Sequence, residues 1–373
     1  MKNSIRKIVY SIFSIINLFI PKFPKILIYA IPRLDDNSEA LFRYIIHNTN
    51  AKVVCITNEH LKYDKVGNYT FIKQNFIIVL FHMLTCSVLL DSCLHSVKMK
   101  PTKKQMFLQL WHGSPLKYLS PSKSICQGDY FSKISYNAEL FRETLQVNEF
   151  NVPDSKMFLN GYPRNDYLFK TVKKNNSINR EKEILWLPTY RHWGNVIHSN
   201  KDIPILHKDN VDALNNFLKE KNVKIYIKPH PLQSVSFEKI LDSKFSNIIL
   251  IYDYDLTKQN VSLYEFLANM DALLTDYSSV MFDFLLVDRP IGFTIDDFDE
   301  FSKHVGFNFD NPKDLMAGKL LYSIDDLKSF IQDLVDGTDS YSAHRNKVNQ
   351  LVNHFKDGNS SQRAFELIKP YIA

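Results

Sequence analysis

The sequence predicts an α/β chain of two domains, each a parallel sheet with helices on both faces. Short apolar runs of strand length alternate with segments of helical spacing, the pattern of strands joined by crossover helices. The alternation falls into two series separated by the polar stretch Lys173-Lys174-Asn175-Asn176-Ser177. At 373 residues and 45% apolar, the chain is long enough for two ordinary cores.

In chain order, residues 2 to 20 read as an amphipathic helix, with Asn3, Ser4, Lys7, Ser11, Ser14 and Asn17 on one narrow stripe and apolar residues around the rest. Its apolar part, roughly 13 residues, falls short of the roughly 20 that a spanning helix requires. Two placements follow. The helix lies on a membrane surface with Lys2, Arg6 and Lys7 near anionic headgroups, or it docks on the protein's own domain. A signal peptide fits less well, because the chain runs on into Pro21-Lys22-Phe23-Pro24 without a small-x-small cleavage site.

The first strand series is ILIYA (26–30), AKVVCIT (51–57), CSVLLDS (86–92) and MFLQLW (106–111); the second is EILWL, VKIYI, NIILIY, ALLT and IGFTI. This places a helix at residues 1–24, a first Rossmann-like domain at 25–172 and a second at 180–373, whose last helix is free to cross back. Two such domains facing across a cleft put ligands at the carboxyl ends of their strands. The net charge of +6 permits a polyanionic or membrane-surface partner without requiring one. Cys55, Cys86, Cys93 and Cys126 show no C-x-x-C spacing and read as reduced core residues of a cytosolic protein.

Five strand exits carry the chemistry. In ALLTDYSSVMFDF, an apolar strand (272–275) runs through a polar turn into an apolar helix, a phosphate cradle built from the hydroxyls of Thr275, Ser278 and Ser279 and the free amides of the first turn. Asp283, four residues after Ser279, shares that helix face and is suited to accept from a polyol hydroxyl. At Trp111-His112-Gly113-Ser114-Pro115-Leu116-Lys117, a strand ends in an imidazole suited to general base work, followed by a glycine that lets backbone approach a ligand. The turn Gly161-Tyr162-Pro163-Arg164-Asn165-Asp166 offers Arg164 to the cleft, and Pro188-Thr189-Tyr190-Arg191 offers a guanidinium fork to a phosphate. In Lys228-Pro229-His230-Pro231, two prolines preset a turn that fixes a cation and an imidazole where charge builds on a leaving phosphate. Neither G-x-x-x-x-G-K-[ST] nor G-x-G-x-x-G occurs, and no His/Cys cluster supports zinc.

Read in order, HGSPLK (112–117), GYPRNDYL (161–168), LPTYR (187–191), KPHP (228–231) and TDYSSVMFDFLLVDRPIGF (275–293) resemble the CDP-glycerol glycerophosphotransferase family of teichoic-acid and capsule polymer enzymes. The resemblance implies a GT-B fold whose second domain holds the nucleotide. It also implies transfer of glycerol phosphate from CDP-glycerol to a hydroxyl of a lipid-linked glycan or polyol-phosphate acceptor, releasing CMP, by an enzyme peripheral on the cytoplasmic membrane face. By the same resemblance His112 is the base, with Gly113, Ser114, Pro115 and Leu116 lining its site. Arg164, Pro188, Thr189, Lys228, Pro229, His230, Ser278, Ser279 and Asp283 match donor-binding positions; Arg191, Thr275 and Asp276 stand beside them. His230, with His112, is assigned to catalysis. No cofactor is required, magnesium is expected only as a companion of the donor, and no nucleic-acid partner is implied. The chain departs from the family at His304-Val305-Gly306-Phe307-Asn308-Phe309-Asp310, which lacks an Arg-Gly pair common there and leaves CDP-ribitol as the nearest alternative donor. A sugar glycosyltransferase of the same fold is the other enzyme reading.

Overall fold

The computed structural model describes residues 2–59, 63, 66–92, 98–118, 127–170, 180–189, 191–193, 196–197, 203–230 and 245–373. Cys93, Cys126, the 173–177 stretch, Tyr190 and Pro231 lie outside them.

The chain divides into two compact units. The first comprises Met1–Ser114, Ser120–Tyr167 and Val352–Ala373; the second comprises Pro115–Leu119 and Leu168–Leu351. In the first, strands β1 (Phe23–Tyr29), β2 (Lys52–Ile56), β3 (Tyr69–Ile72), β4 (Cys86–Asp91), β5 (Met106–Gln109), β6 (Lys133–Tyr136) and β7 (Met157–Leu159) form one parallel sheet in the order β3-β2-β1-β4-β5-β6-β7. Strands β1 and β4 carry continuous apolar runs because layers packed on both faces of the sheet bury them, with Leu27 paired to Leu89 and Ile28 to Leu90. Burial raises the Cys86 thiol to about 12, which keeps it an inert core residue. The C-terminal helix Ser360–Ile368 packs Ala364, Phe365 and Ile368 into this core beside Leu41 and Phe42 of α2 (Asp36–Asn48).

In the second unit, β8 (Lys182–Trp186), a small antiparallel pair β9 (His192–Trp193) and β10 (Val196–Ile197), β11 (Val223–Ile227), β12 (Ile248–Leu250), β13 (Ala272–Thr275), β14 (Ile291–Thr294) and β15 (Lys319–Leu321) follow in sequence. The main sheet is again parallel, in the order β12-β11-β8-β13-β14-β15. In each unit the chain winds outward in one direction and then restarts on the other side. The reversal falls between β1 and β4 in the first sheet and between β8 and β13 in the second, and such a switch point opens a crevice at the strand ends.

Helix α1 (Lys2–Phe19) has the predicted extent, and the C-terminal part of its polar stripe, Ser14 and Asn17, faces the protein. Asn17 is wholly buried and donates to Gln105 Oε1 (2.7 Å) and the Lys100 carbonyl (3.0 Å), while Ser14 Oγ accepts from the Lys100 amide. Ile15 and Phe19 are consequently left 57% and 80% exposed. Helix α3 (Phe76–Thr85) adds Phe76, Ile77 and Phe81 to the exposed apolar residues, and Phe13 meets Phe76 at 6.2 Å. Lys22 Nζ donates to the Asn17 carbonyl and the Leu84 carbonyl, both at 2.7 Å, so one ammonium closes the C-terminal ends of both helices.

Candidate active site

In the first unit the site is built on a strained strand exit. After β5, Trp111 adopts φ +60°, a left-handed conformation that bulky residues rarely take, and Gly113 follows at φ +149°. Three polar contacts hold this turn. The Trp111 amide donates to Gln109 Oε1 (2.9 Å), Asn37 Nδ2 donates to the Trp111 carbonyl (2.8 Å), and Arg164 Nη1 donates to the His112 carbonyl (2.8 Å). The Trp111 ring lies 3.9 Å from that of His112 and meets Phe150 edge-on.

His112 is thereby exposed, with Nδ1 3.4 Å from the Ser92 carbonyl at the end of β4. A proton on Nδ1 directed at that carbonyl leaves the Nε2 lone pair for a base. Ser92 is itself anchored: its hydroxyl donates to Asp35, which also accepts from Ser38 Oγ (2.6 Å) and from the amides of Asn37 and Ser38. The start of α2 therefore sits at the switch point and braces the His112 turn. Ser114 is 2% exposed, and its hydroxyl has no hydrogen-bond partner among the described residues. A buried hydroxyl left this way is unfavourable until a ligand satisfies it.

Arg164 is 7% exposed and supports the His112 backbone, with its own amide on Asn37 Oδ1 (3.2 Å), so at least one of its guanidinium nitrogens is engaged in holding that turn. The rest of its turn is a joint. Asp166 accepts from the Ser360 and Ser361 amides (both 2.8 Å), and Gly161, at φ +79°, lies where a Cβ would come 2.7 Å from Ser360 Oγ. Asn37→Ala is expected to leave the fold intact but release the Trp111 turn, lowering kcat about 10-fold as its two side-chain hydrogen bonds are lost. Steady-state kinetics beside a thermal melt checks this.

In the second unit, β8, β11 and β13 end side by side and bring Pro188, Thr189, Lys228, Pro229, His230 and the Thr275–Ser279 turn to one edge of the sheet. Behind them stands a closed ionic cluster. Arg191, 0% exposed, donates from Nε and Nη2 to Asp297 (2.9 and 3.2 Å) and from Nη1 to Asp276 and the Thr189 carbonyl. Burial opposes its charge, yet Asp276 and Asp297 raise its pKa above the usual arginine value. Asp276 also accepts from the Thr189 amide (2.8 Å), and the Tyr277 hydroxyl donates to Asp297 (2.8 Å). Arg191 and Asp276 therefore frame the site from behind, contrary to the sequence expectation that they touch substrate.

Two further residues change role. The Thr275 hydroxyl donates to the Leu187 carbonyl (2.9 Å), and Asp283, 1% exposed, accepts from the Tyr264 hydroxyl (2.6 Å). Both belong to the packing around the turn. The helix that follows, Val280–Phe284, has five residues before a 3₁₀ turn, so little macrodipole stands behind the cradle. What the turn presents is local. Ser278 and Ser279 are half-buried, Ser279 makes no capping bond with its side chain, and the Thr189 hydroxyl, 7% exposed, has no partner among the described residues.

Lys228 pairs with Asp253 (2.9 Å). His230 is exposed, and burial, then Lys228 and Lys117, hold its pKa below the ordinary imidazole value. It is a neutral hydrogen-bonding group at pH 7 rather than a second cation. Because its folded pKa lies below the unfolded value of about 6.5, the unfolded chain takes up the proton first, and this group removes stability as pH falls below that value. His230→Gln is accordingly expected to lose less stability than the native chain between pH 7 and pH 5, read from urea midpoints.

Two parallel sheets of Rossmann order, each with its polar residues at the switch point, define a GT-B-type α/β protein. The chain belongs to the CDP-glycerol:poly(glycerophosphate) glycerophosphotransferase family, whose profile matches residues 12–369. It is 25% identical to a teichoic acid glycerol-phosphate transferase of Staphylococcus aureus, over 99% of each chain. It is 25% identical to a teichoic acid poly(glycerol phosphate) polymerase of Bacillus spizizenii (87% of this chain, 89% of that one) and 24% identical to a teichoic acid ribitol-phosphate primase of the same organism (92% and 90%). Its fold matches that of the wall teichoic acid polymerase TagF with a TM-score of 0.75 at 20% identity, covering 100% of this chain and 97% of that one.

Proposed function

We propose that this enzyme transfers glycerol phosphate from CDP-glycerol to an acceptor hydroxyl and releases CMP in teichoic acid synthesis. The observation that carries the reading is His112, held on a strained and braced strand exit with its imidazole exposed, in a chain that the family matches over residues 12–369. In this reading His112 takes the proton of the acceptor hydroxyl, whose oxygen attacks the β-phosphorus in line while the bond to CMP breaks. Thr189, Ser278, Ser279, Lys228 and His230 hold the diphosphate as charge moves to the leaving oxygen. In this reading no resident metal takes part, and magnesium enters only with the donor.

The second unit takes the CDP-polyol. The first unit takes the acceptor, a lipid-linked glycan or a polyol-phosphate chain of teichoic-acid or capsule type. CDP-ribitol is the second donor reading, favoured by the similarity to a ribitol-phosphate primase. A panel of CDP-glycerol, CDP-ribitol and UDP-sugars, followed by nucleotide release with a lipid-linked acceptor, decides among them. CMP from CDP-glycerol supports the proposal, and UDP alone would refute it. His230→Ala is expected to lower CMP release about 100-fold, as loss of one preorganised donor does elsewhere, and near-native turnover would remove its role.

The exposed apolar residues of α1 and α3 support a peripheral site on the inner face of the cell membrane. Among the described residues no helix is long and apolar enough to cross a bilayer. Because Ser14 and Asn17 are already used against the protein, the outward apolar face of α1 is suited to a lipid surface. The double variant Ile15→Asp/Phe19→Asp is expected to leave CMP release from a soluble acceptor analogue unchanged while abolishing co-sedimentation with vesicles containing anionic phospholipid. Unaltered sedimentation would argue for another anchor.

A further inference from the structure

Lys117 stands outside every site assignment made above, yet the fold fixes it in the second unit. Although it follows His112 by five residues, its stretch Pro115–Leu119 groups with that unit rather than with the first. The Asn308 amide donates to the Leu116 carbonyl (2.9 Å), and Asn308 Nδ2 donates to the Pro115 (3.1 Å) and Lys117 (2.8 Å) carbonyls. The Tyr118 amide donates to the Gly306 carbonyl (3.0 Å), and Lys117 and Phe307 form an antiparallel bridge. Phe307 in turn sets its ring edge-on to Tyr277 at 5.5 Å. The backbone of Lys117 is thus paired with the residue whose ring packs on Tyr277, the first residue of the Tyr277-Ser278-Ser279 turn.

Its side chain is half-buried and makes no ion pair or hydrogen bond among the described residues. Burial lowers its pKa, Asp276 raises it and Arg191 lowers it again, while Lys117 itself helps depress His230. Asp276 is the nearby carboxylate, but it is already engaged by Arg191 and by the Thr189 and Tyr277 amides. A partly desolvated ammonium with no partner is unfavourable until an anion meets it. The neighbouring groups that face the same edge, His230, Lys228 and the orphaned Thr189 hydroxyl, are those that suit a phosphate.

We propose that Lys117 is a ligand of the donor's diphosphate, delivered to the second unit by Asn308. This rests on the glycerophosphotransferase reading and adds a residue to it. It also gives the 304–310 segment a role without the missing arginine, because the segment supplies the cation by clamping another stretch of chain.

The test uses the full chain with Lys117→Met and Lys117→Arg, CDP as the binding probe and CDP-glycerol with a lipid-linked acceptor for turnover. Lys117→Met is expected to raise the Kd for CDP and the KM for CDP-glycerol roughly 10- to 100-fold, the loss expected for a charge-assisted hydrogen bond. The KM for acceptor and the melting temperature should stay near native, and Lys117→Arg should recover most of the affinity. Native CDP affinity in Lys117→Met, with or without a lowered melting temperature, would overturn the proposal and leave Lys117 a counter-charge to Asp276. If the native chain binds CDP but releases no CMP from CDP-glycerol, the donor reading fails, while the CDP titration still decides Lys117. A native chain that does not bind CDP would overturn both.

Discussion

His112→Ala is expected to leave a folded chain whose CMP release falls about 100- to 10,000-fold, the range for loss of a positioned base. The fold should survive because the ring is exposed and the contacts that hold its turn run to backbone atoms and to Trp111, all of which remain. The loss should appear in kcat with the Kd for CDP unchanged, since His112 belongs to the first unit and the diphosphate ligands to the second. CMP release measured beside a CDP titration and a melting curve separates these effects. Turnover within a few fold of native would show that the strained exit serves packing and that the base lies elsewhere. Asn37→Ala gives the intermediate case, with the same imidazole on a relaxed turn.

The two parallel sheets were legible because their central strands are uninterrupted apolar runs, as strands covered on both faces must be. Strands such as β3 and β15, half-exposed at the sheet edges, and the short β6 and β7 carry no such run, and only pairing to a neighbour defines them. The His112, Lys228–His230 and Ser278–Ser279 elements were legible for a different reason. Each places unusual chemistry directly after a strand, where the fold class alone puts ligands.

The residues that support them were not legible, because their roles depend on which strands become neighbours. Asp35 and Asn37 belong to no local pattern that the sequence singles out, and they brace the His112 turn only because β1 lies beside β4. Arg191 shows the converse error. Its guanidinium is visible in sequence as a phosphate fork, but nothing local reveals that Asp276 and Asp297 will close on it.

That cluster supplies the other large expected effect: Arg191→Met should destabilise the second unit by about 3–5 kcal/mol, the cost of breaking a fully buried ion pair from one side. The reason is the pair of carboxylates left behind. Asp276 and Asp297 are buried beside each other's former partner, and methionine fills the volume without neutralising either. Arg191→Lys should recover only part of the loss, because a single ammonium cannot reproduce the contacts to both carboxylates and the Thr189 carbonyl. Adding Asp276→Asn and Asp297→Asn to Arg191→Met should restore much of the stability, since the unpaired charge is then gone. Donor affinity should recover only in part, because the Thr189 amide, which positions the orphaned Thr189 hydroxyl, meets both oxygens of Asp276 and only one acceptor oxygen survives Asp276→Asn. Urea midpoints paired with CDP titrations distinguish this frame from the direct role that the sequence suggests. A native midpoint with weakened CDP binding in Arg191→Met would make Arg191 a phosphate ligand after all, and would require the cluster to open when the donor arrives.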